Sequence, residues 1–184
     1  MSDSRLALLG SVNVGGNRIA MADLRDRIEA LGYGEVETIA ASGNVLLDAG
    51  GKSHDRVAED LAAMLEQACG FDSMVVVIDR NRLACAIMDN PFHGDGPAHG
   101  EDRFVHTLFL DGLPSQERFD ALVAEQRDRG GERLALGHGM LYLDYVDGVG
   151  GSKLTSAFLR RRLDCRSTER NMTSLKRILG KMTH

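Results

Sequence analysis

Apolar positions along this chain follow two periods, one of two residues and one near 3.6, and their order of succession occurs twice. Residues 5–9 form a short apolar run that reads as a buried strand. After a turn containing Gly15 and Gly16, Met21, Leu24, Ile28 and Leu31 fall on one helical stripe, with Asp23, Asp26, Arg27 and Glu29 facing water. Gly32 is placed to end that helix. Residues 35–40 and 44–48 read as strands joined across Ser42-Gly43-Asn44, because Gly and Asn tolerate positive φ. A second glycine turn at 49–53 precedes a helix that buries Val57, Leu61, Leu65 and Ala68 and closes at Gly70. Residues 74–78 make a fourth strand. The order is β-α-β-β-α-β, the split unit of ferredoxin-like folds.

A short helix is expected over 81–88, stopped by Asn90-Pro91-Phe92, since the residue before proline disfavours the helical region. Residues 93–102 are rich in Gly, Pro and charge and read as a linker. The pattern then restarts. A strand at 104–110 leads to a helix at 114–128 that buries Phe119, Leu122 and Val123. A hairpin follows, 133–136 with 140–146 across Gly137-His138-Gly139. A helix over 152–163 comes next, then an edge strand at 165–168 and a last helix over 171–181 burying Met172, Leu175 and Ile178. The fold class is therefore α+β, two ferredoxin-like halves with connecting and C-terminal helices. The expected division is 1–80, a connecting helix and linker at 81–102, and 103–184.

Composition narrows the function. The 184 residues are 43% hydrophobic and 27% charged, with a net charge of -5, so there is no overall basic footprint for nucleic acid. The longest purely apolar run, residues 74–78, is far too short to cross a bilayer. Cys69, Cys85 and Cys165 are scattered, odd in number and form no C-x-x-C pair, so they read as reduced, small hydrophobes. The first residues lack a basic region followed by an apolar run. The expected setting is cytoplasmic.

Three turns carry Gly-Gly with a cation close behind: Gly15-Gly16 with Arg18, Gly50-Gly51 with Lys52, and Gly150-Gly151 with Lys153. Residues 149–154 match 14–19 in spacing, and the turns after the first and third strands are expected at one end of the sheet. A strand that turns through glycines into a helix presents backbone N–H groups at the positive end of the helix dipole, which suits an anion.

Leu8 to Gly16 with its Asn13-Val14-Gly15-Gly16 core, Met21-x-x-Leu24 and Ser42-Gly43-Asn44-Val45 together resemble the bacterial domain-of-unknown-function family 1697. Asn90-Pro91-Phe92, Gly150-x-Ser152-Lys153-Leu154 and Arg170-Asn171 extend the likeness along the chain. Gly10, Ala41, Gly151 and Met172 depart from the family pattern. The resemblance implies two ferredoxin-like halves and no established activity.

Each motif has a binding and a structural reading. Asn13, Gly15, Gly16, Asn17 and Arg18 can cradle a phosphate or carboxylate, or form a tight turn in which Asn17 caps the helix. Ser152 and Lys153 can do the same; as a first-turn cation Lys153 opposes the dipole, which an anion would relieve. Ser42 and Asn44 project from a hairpin or build it. Arg170 can clamp an acidic ligand or pair internally, while Asn171 caps the last helix. These eleven residues frame the leading expectation, a small anionic ligand, a nucleotide among the options, held between the halves. The alternative is an RNA- or protein-interaction module built on the basic region 152–170, without catalysis. The ferredoxin-like sheets that bind RNA stack bases on strand aromatics, which residues 44–47 and 74–78 lack. His93, Asp95, His99, Glu101 and Asp102 match no zinc spacing, so no metal site is assigned. No cofactor, catalytic residue or oligomeric state can be read from the sequence.

Overall fold

The continuous apolar run of the first strand has a direct structural cause: it is buried on both faces. In the computed structural model, which describes residues 3–40 and 43–182, β1 (Ser4–Leu9) carries Ala7 and Leu9 on one side and Leu6 and Leu8 on the other, all buried. β1 is followed by α1 (Met21–Ala30), β2 (Gly34–Ile39), β3 (Asn44–Asp48), α2 (His54–Cys69) and β4 (Val75–Ile78). The strands form an antiparallel sheet in the order β2-β3-β1-β4. Ala7, Leu9, Val45, Leu47 and Val77 pack against Leu24 and Ile28 of α1 and Val57, Leu61 and Leu65 of α2. Burying a side chain of this size is worth about 1.5–3 kcal/mol, so this layer carries the unit's stability.

α3 (Arg80–Met88) leads to the second round: β5 (Val105–Leu110), α4 (Gln116–Arg127), β6 (Arg133–Gly137), β7 (Met140–Asp144), α5 (Ser156–Leu163), β8 (Ser167–Asn171) and α6 (Met172–Lys181). The second sheet runs β6-β7-β5-β8, again antiparallel. Leu108, Leu110, Leu141, Leu143 and Tyr145 face Leu122, Phe158, Leu159 and Leu163. On its other face Thr107, Phe109, Met140, Tyr142, Thr168 and Arg170 are buried. The fold is thus α+β with two ferredoxin-like sheets. Two compact units are distinguished, one running to Leu83 and taking in the chain from Ile178 onward, the other Ala84–Arg177.

Four local expectations need correction. Leu31 is 38% exposed rather than part of the buried stripe, because α1 ends at Ala30 and Leu31 is its C-cap. Phe119 and Val123 are half-buried, and the second buried position of α4 is Gln126. Cys85 is exposed rather than packed. The fourth concerns direction. β1 and β3 are antiparallel, with Ser4 opposite Asp48 and Leu8 opposite Asn44, so the turns that follow them lie at opposite ends of the sheet. By strand order, the Gly150-Gly151 turn after β7 is the counterpart of Gly50-Gly51 after β3, not of Gly15-Gly16 after β1.

Candidate functional site

The loop between β1 and α1 is built by its own asparagines. Gly10 is stapled to β4's approach, its N–H donating to the Met74 carbonyl at 2.7 Å and its carbonyl accepting from the Ser73 hydroxyl at 2.8 Å. Asn13 takes a left-handed backbone (φ 58°), which asparagine tolerates better than most residues. Its side chain donates Nδ2–H to the Ile19 carbonyl (3.2 Å) and accepts from the Ile19 N–H (3.0 Å). Asn17 donates Nδ2–H to the Ser11 carbonyl at 3.1 Å, and Arg18 donates from its guanidinium to the Asn13 carbonyl at 2.7 Å. Buried Val12 and Ile19 anchor the loop's two arms, leaving Gly15 and Gly16 exposed at its tip. Asn13, Gly15, Gly16, Asn17 and Arg18 are therefore brought together.

Asn17 is not the helix cap. α1 starts four residues later, at Met21, with Ala20 in the N-cap position and no side chain capping it. The first N–H groups of a helix have no partner inside it. Beside this open end lies a cavity of about 340 Å³ lined by Asn13, Arg18, Ala20, Asp23, Arg27 and Cys69, among others. Its charged lining is two guanidiniums and one carboxylate. A second hollow of about 430 Å³ shares Arg27 and Ala68 with it and continues along α2 past Asp60 and Met64.

The other glycine turns are committed elsewhere. At Gly50-Gly51 the two N–H groups already donate to carboxylates, Gly50 to Asp48 at 2.9 Å and Gly51 to Asp3 at 3.0 Å. Ser53 caps α2, and Lys52 lies over the Tyr33 ring near Asp60. Gly150 and Gly151 sit in a 3₁₀ turn (Val149–Gly151), and α5 begins only at Ser156, capped by Thr155. Ser152 and Lys153 thus precede the helix instead of opening it, so the dipole argument for Lys153 does not apply. Ser152 instead donates its hydroxyl to Glu132.

Asn44 is buried and donates Nδ2–H to the Ile39 carbonyl at 3.1 Å, holding the hairpin; its neighbour Ser42 lies outside the described residues. Arg170 lies in β8, which spans 167–171 rather than 165–168, and is 8% exposed. Its guanidinium donates to the Thr168 hydroxyl at 2.9 Å and the Glu169 carbonyl at 2.7 Å, and burial pulls its pKa down to about 10. Asn171 closes β8 and caps α6, accepting from the Ser174 N–H at 2.9 Å. Two more arginines of the basic region are committed: Arg162 pairs with Glu125 and Arg166 with Asp111.

Two groupings form only in the folded chain, from residues far apart in sequence. His106 Nδ1 lies 2.7 Å from a Glu169 carboxylate oxygen that also accepts from the Tyr145 hydroxyl at 2.9 Å. Burial first, and then the Glu169 charge, push the Tyr145 hydroxyl's pKa up. His93 and Lys176 flank Asp102: burial works to raise the Asp102 pKa, but the lysine's hydrogen bond and charge outweigh it and hold the carboxyl below its usual range. Among the described residues no group of three or more His, Cys, Asp or Glu is disposed to hold a metal ion, and no helix is long and apolar enough to cross a membrane.

The chain is thus an α+β protein with two ferredoxin-like sheets, and an uncapped helix end opens onto a cavity that Arg18 and Arg27 help to line. A family model described as a protein of unknown function (DUF1697) matches residues 3–142, and the chain belongs to that family. Among solved structures, it is similar to conserved bacterial protein SP0830 from Streptococcus pneumoniae. The two share 20% identity over 96% of this chain and 97% of that one, with a TM-score of 0.64. At that identity the likeness speaks for the fold. No curated protein matches.

Proposed function

We propose that the protein binds a small anionic ligand bearing a phosphate or carboxylate, in the first unit, at the N-terminal end of α1. The observation that carries this is the cavity at the start of α1, an end that no side chain caps, whose lining includes Arg18 and, from the last turn of the same helix, Arg27. Unpaired N–H groups, a positive dipole end and two guanidiniums act in the same direction. Asn13 supports the reading indirectly, since its two bonds to Ile19 fix the loop that carries Arg18. Gly15, Gly16 and Asn17 shape the same loop. Asp23 works against the arginines, leaving the lining with one net positive charge. The adjoining hollow past Arg27 gives room for a ligand longer than its anionic group, such as a nucleotide.

This reading uses no residue of the second unit. The competing one, an arginine face for RNA or an acidic protein, has less to stand on because Arg162 and Arg166 already hold carboxylates and Arg170 is buried. A cytoplasmic setting is part of the proposal, consistent with three unpaired cysteines.

Thermal shift tests it with inorganic phosphate, adenosine and adenosine monophosphate as probes. A ligand at about ten times its Kd adds roughly 1.4 kcal/mol, a rise of about 3–5 °C for a chain of this length. Phosphate and the monophosphate are expected to raise Tm, adenosine is not, and Arg27→Ala removes the effect. An equal response in Arg27→Ala would sink the proposal.

A further inference from the structure

The second sheet ends on a strand that lacks the protection found at the matching edge of the first. β2, the outer strand of the first sheet, is interrupted by a register shift between Gly34 and Glu37, has a left-handed residue at Glu35 (φ 49°) and pairs Glu37 with Lys181. Bulges and charged side chains of this kind discourage pairing with a further strand. β6, its counterpart, pairs with β7 in unbroken register, and Leu134, Ala135 and Leu136 along it are uncharged. The charge of Arg133 at its start is taken by buried Asp144. Gly137 and Met140 flank a two-residue turn, so they form a hydrogen-bonded pair, as do the alternate pairs Ala135–Tyr142 and Arg133–Asp144. The N–H and C=O groups of Leu134 and Leu136 therefore point away from β7, and β6 is the last strand of its sheet.

α4 lies beside this edge. Phe119 and Val123, apolar but only half-buried, line a hollow of about 310 Å³ with Asp120, Ala124, Arg127 and Leu134. The Gln126 amide donates to Glu132, which brings the Arg127 end of the helix to the start of β6. The charges at the two ends of this face are opposite. Asp120 takes its hydrogen bond from the neutral Gln116 amide, and the Arg127 guanidinium makes no hydrogen bond or ion pair among the described residues. They stand two helical turns apart on one side of α4, with Val123 and Ala124 midway between them.

A surface with an apolar centre and opposite charges at its ends is complementary to itself when turned through half a circle. We propose that β6 and α4 form an interface with a second copy of this chain, about a two-fold axis through Ala135. Leu134 then exchanges N–H···O=C bonds with the partner's Leu136, joining the two sheets edge to edge. In the helix layer Val123 and Ala124 meet their own images, and each Arg127 faces the partner's Asp120. The pairing satisfies free backbone groups, the half-buried apolar side chains and the unpaired guanidinium together. It uses no residue of the first-unit anion site, so either proposal can fail without the other.

Sedimentation equilibrium of the full-length protein, from low micromolar to several hundred micromolar, tests this. A reversible monomer–dimer equilibrium is expected. Ala135→Lys sets two like charges against each other at the axis and should abolish the dimer. Asp120→Arg and Arg127→Asp each put like charges opposite one another and should weaken dimerisation about tenfold. The two reversals combined restore opposite charges and should bring the affinity back to within about threefold of wild type. Asp120 and Arg127 are both exposed, so these variants keep the fold, which an unchanged Tm at monomeric concentration verifies. A monomer at every concentration overturns the proposal. So does a dimer that is indifferent to Ala135→Lys or to the single reversals, or that the combined swap fails to restore.

Discussion

The side chain of Asn13 and the backbone of Ile19 exchange two hydrogen bonds, closing a loop that delivers Arg18 to the foot of α1. Neither residue is near the other in a secondary-structure sense, and the helix begins only after both. Asn13→Ala loses both bonds and puts a less tolerant residue at φ 58°. The expected cost is about 2 kcal/mol by urea denaturation, from two net hydrogen bonds of roughly 1 kcal/mol each. Asn13→Gly should cost less, because it keeps the backbone freedom. Equal losses would mean that the left-handed backbone contributes nothing.

Three glycines separate steric need from mere presence in a turn. At Gly43 a Cβ would lie 2.7 Å from the Leu9 carbonyl oxygen, with φ at 68°; at Gly16, φ is 100° with open space around it; at Gly151 there is open space and φ lies outside the positive range. Alanine should therefore cost more than about 2 kcal/mol at 43, about 1–2 at 16, and within about 0.5 at 151. Chemical denaturation of the three variants checks the order. A cost at Gly151 matching that at Gly43 would contradict it.

Acid should weaken the fold through two carboxylates. Asp60 accepts from the Tyr33 hydroxyl at 2.7 Å and pairs with Arg56 at 2.7 Å. Burial tends to raise its pKa, but the tyrosine's hydrogen bond and the Arg56 and Lys52 charges outweigh that and lower it, as Lys176 and His93 do at Asp102. A carboxyl held low in the folded state contributes stability that is present above its unfolded pKa, about 3.9, and is lost as pH falls through the lower folded value. Stability measured across pH 6 to 2 should fall below about pH 4, and Asp60→Asn with Asp102→Asn should flatten that limb. An unchanged acid limb in the double variant would exclude these two groups as its source.

Asp144 is 2% exposed, takes the Arg133 guanidinium and accepts from the Val146 N–H at 3.1 Å. Removing the carboxylate's charge leaves Arg133 without its partner. Asp144→Asn should cost about 2–4 kcal/mol, and Arg133→Met less, since the arginine is the more exposed member. The reverse order would place the buried requirement on the arginine.

Both sheets were legible in the sequence because long-range order followed from local rhythm: apolar strands, a helical stripe at Leu24 and Ile28, glycine at 70, and two hairpins. The helix starts were not. Glycine pairs at 15–16 and 150–151 looked like helix N-termini, yet Ala20 and Thr155 hold those positions, because a loop and a 3₁₀ turn intervene. Sequence spacing aligned 149–154 with 14–19, while antiparallel pairing aligns that turn with Gly50-Gly51. Arg27 and Asp23 were read as solvent-facing helix positions, and nothing in the pattern marked them as cavity lining. The bond from the Gln126 amide to Glu132 escaped notice for a related reason: a donor and an acceptor six residues apart meet only when a helix end turns back toward an edge strand.

The central claim concerns where an anion binds, and a titration with inorganic phosphate read by backbone amide shifts tests it most directly. The account predicts the largest saturable shifts at Arg18, Met21, Ala22 and Asp23, with tighter binding in Asp23→Asn and weaker binding in Arg27→Ala. Shifts centred on Gly150 to Lys153, or indifferent to both charge changes, would contradict it.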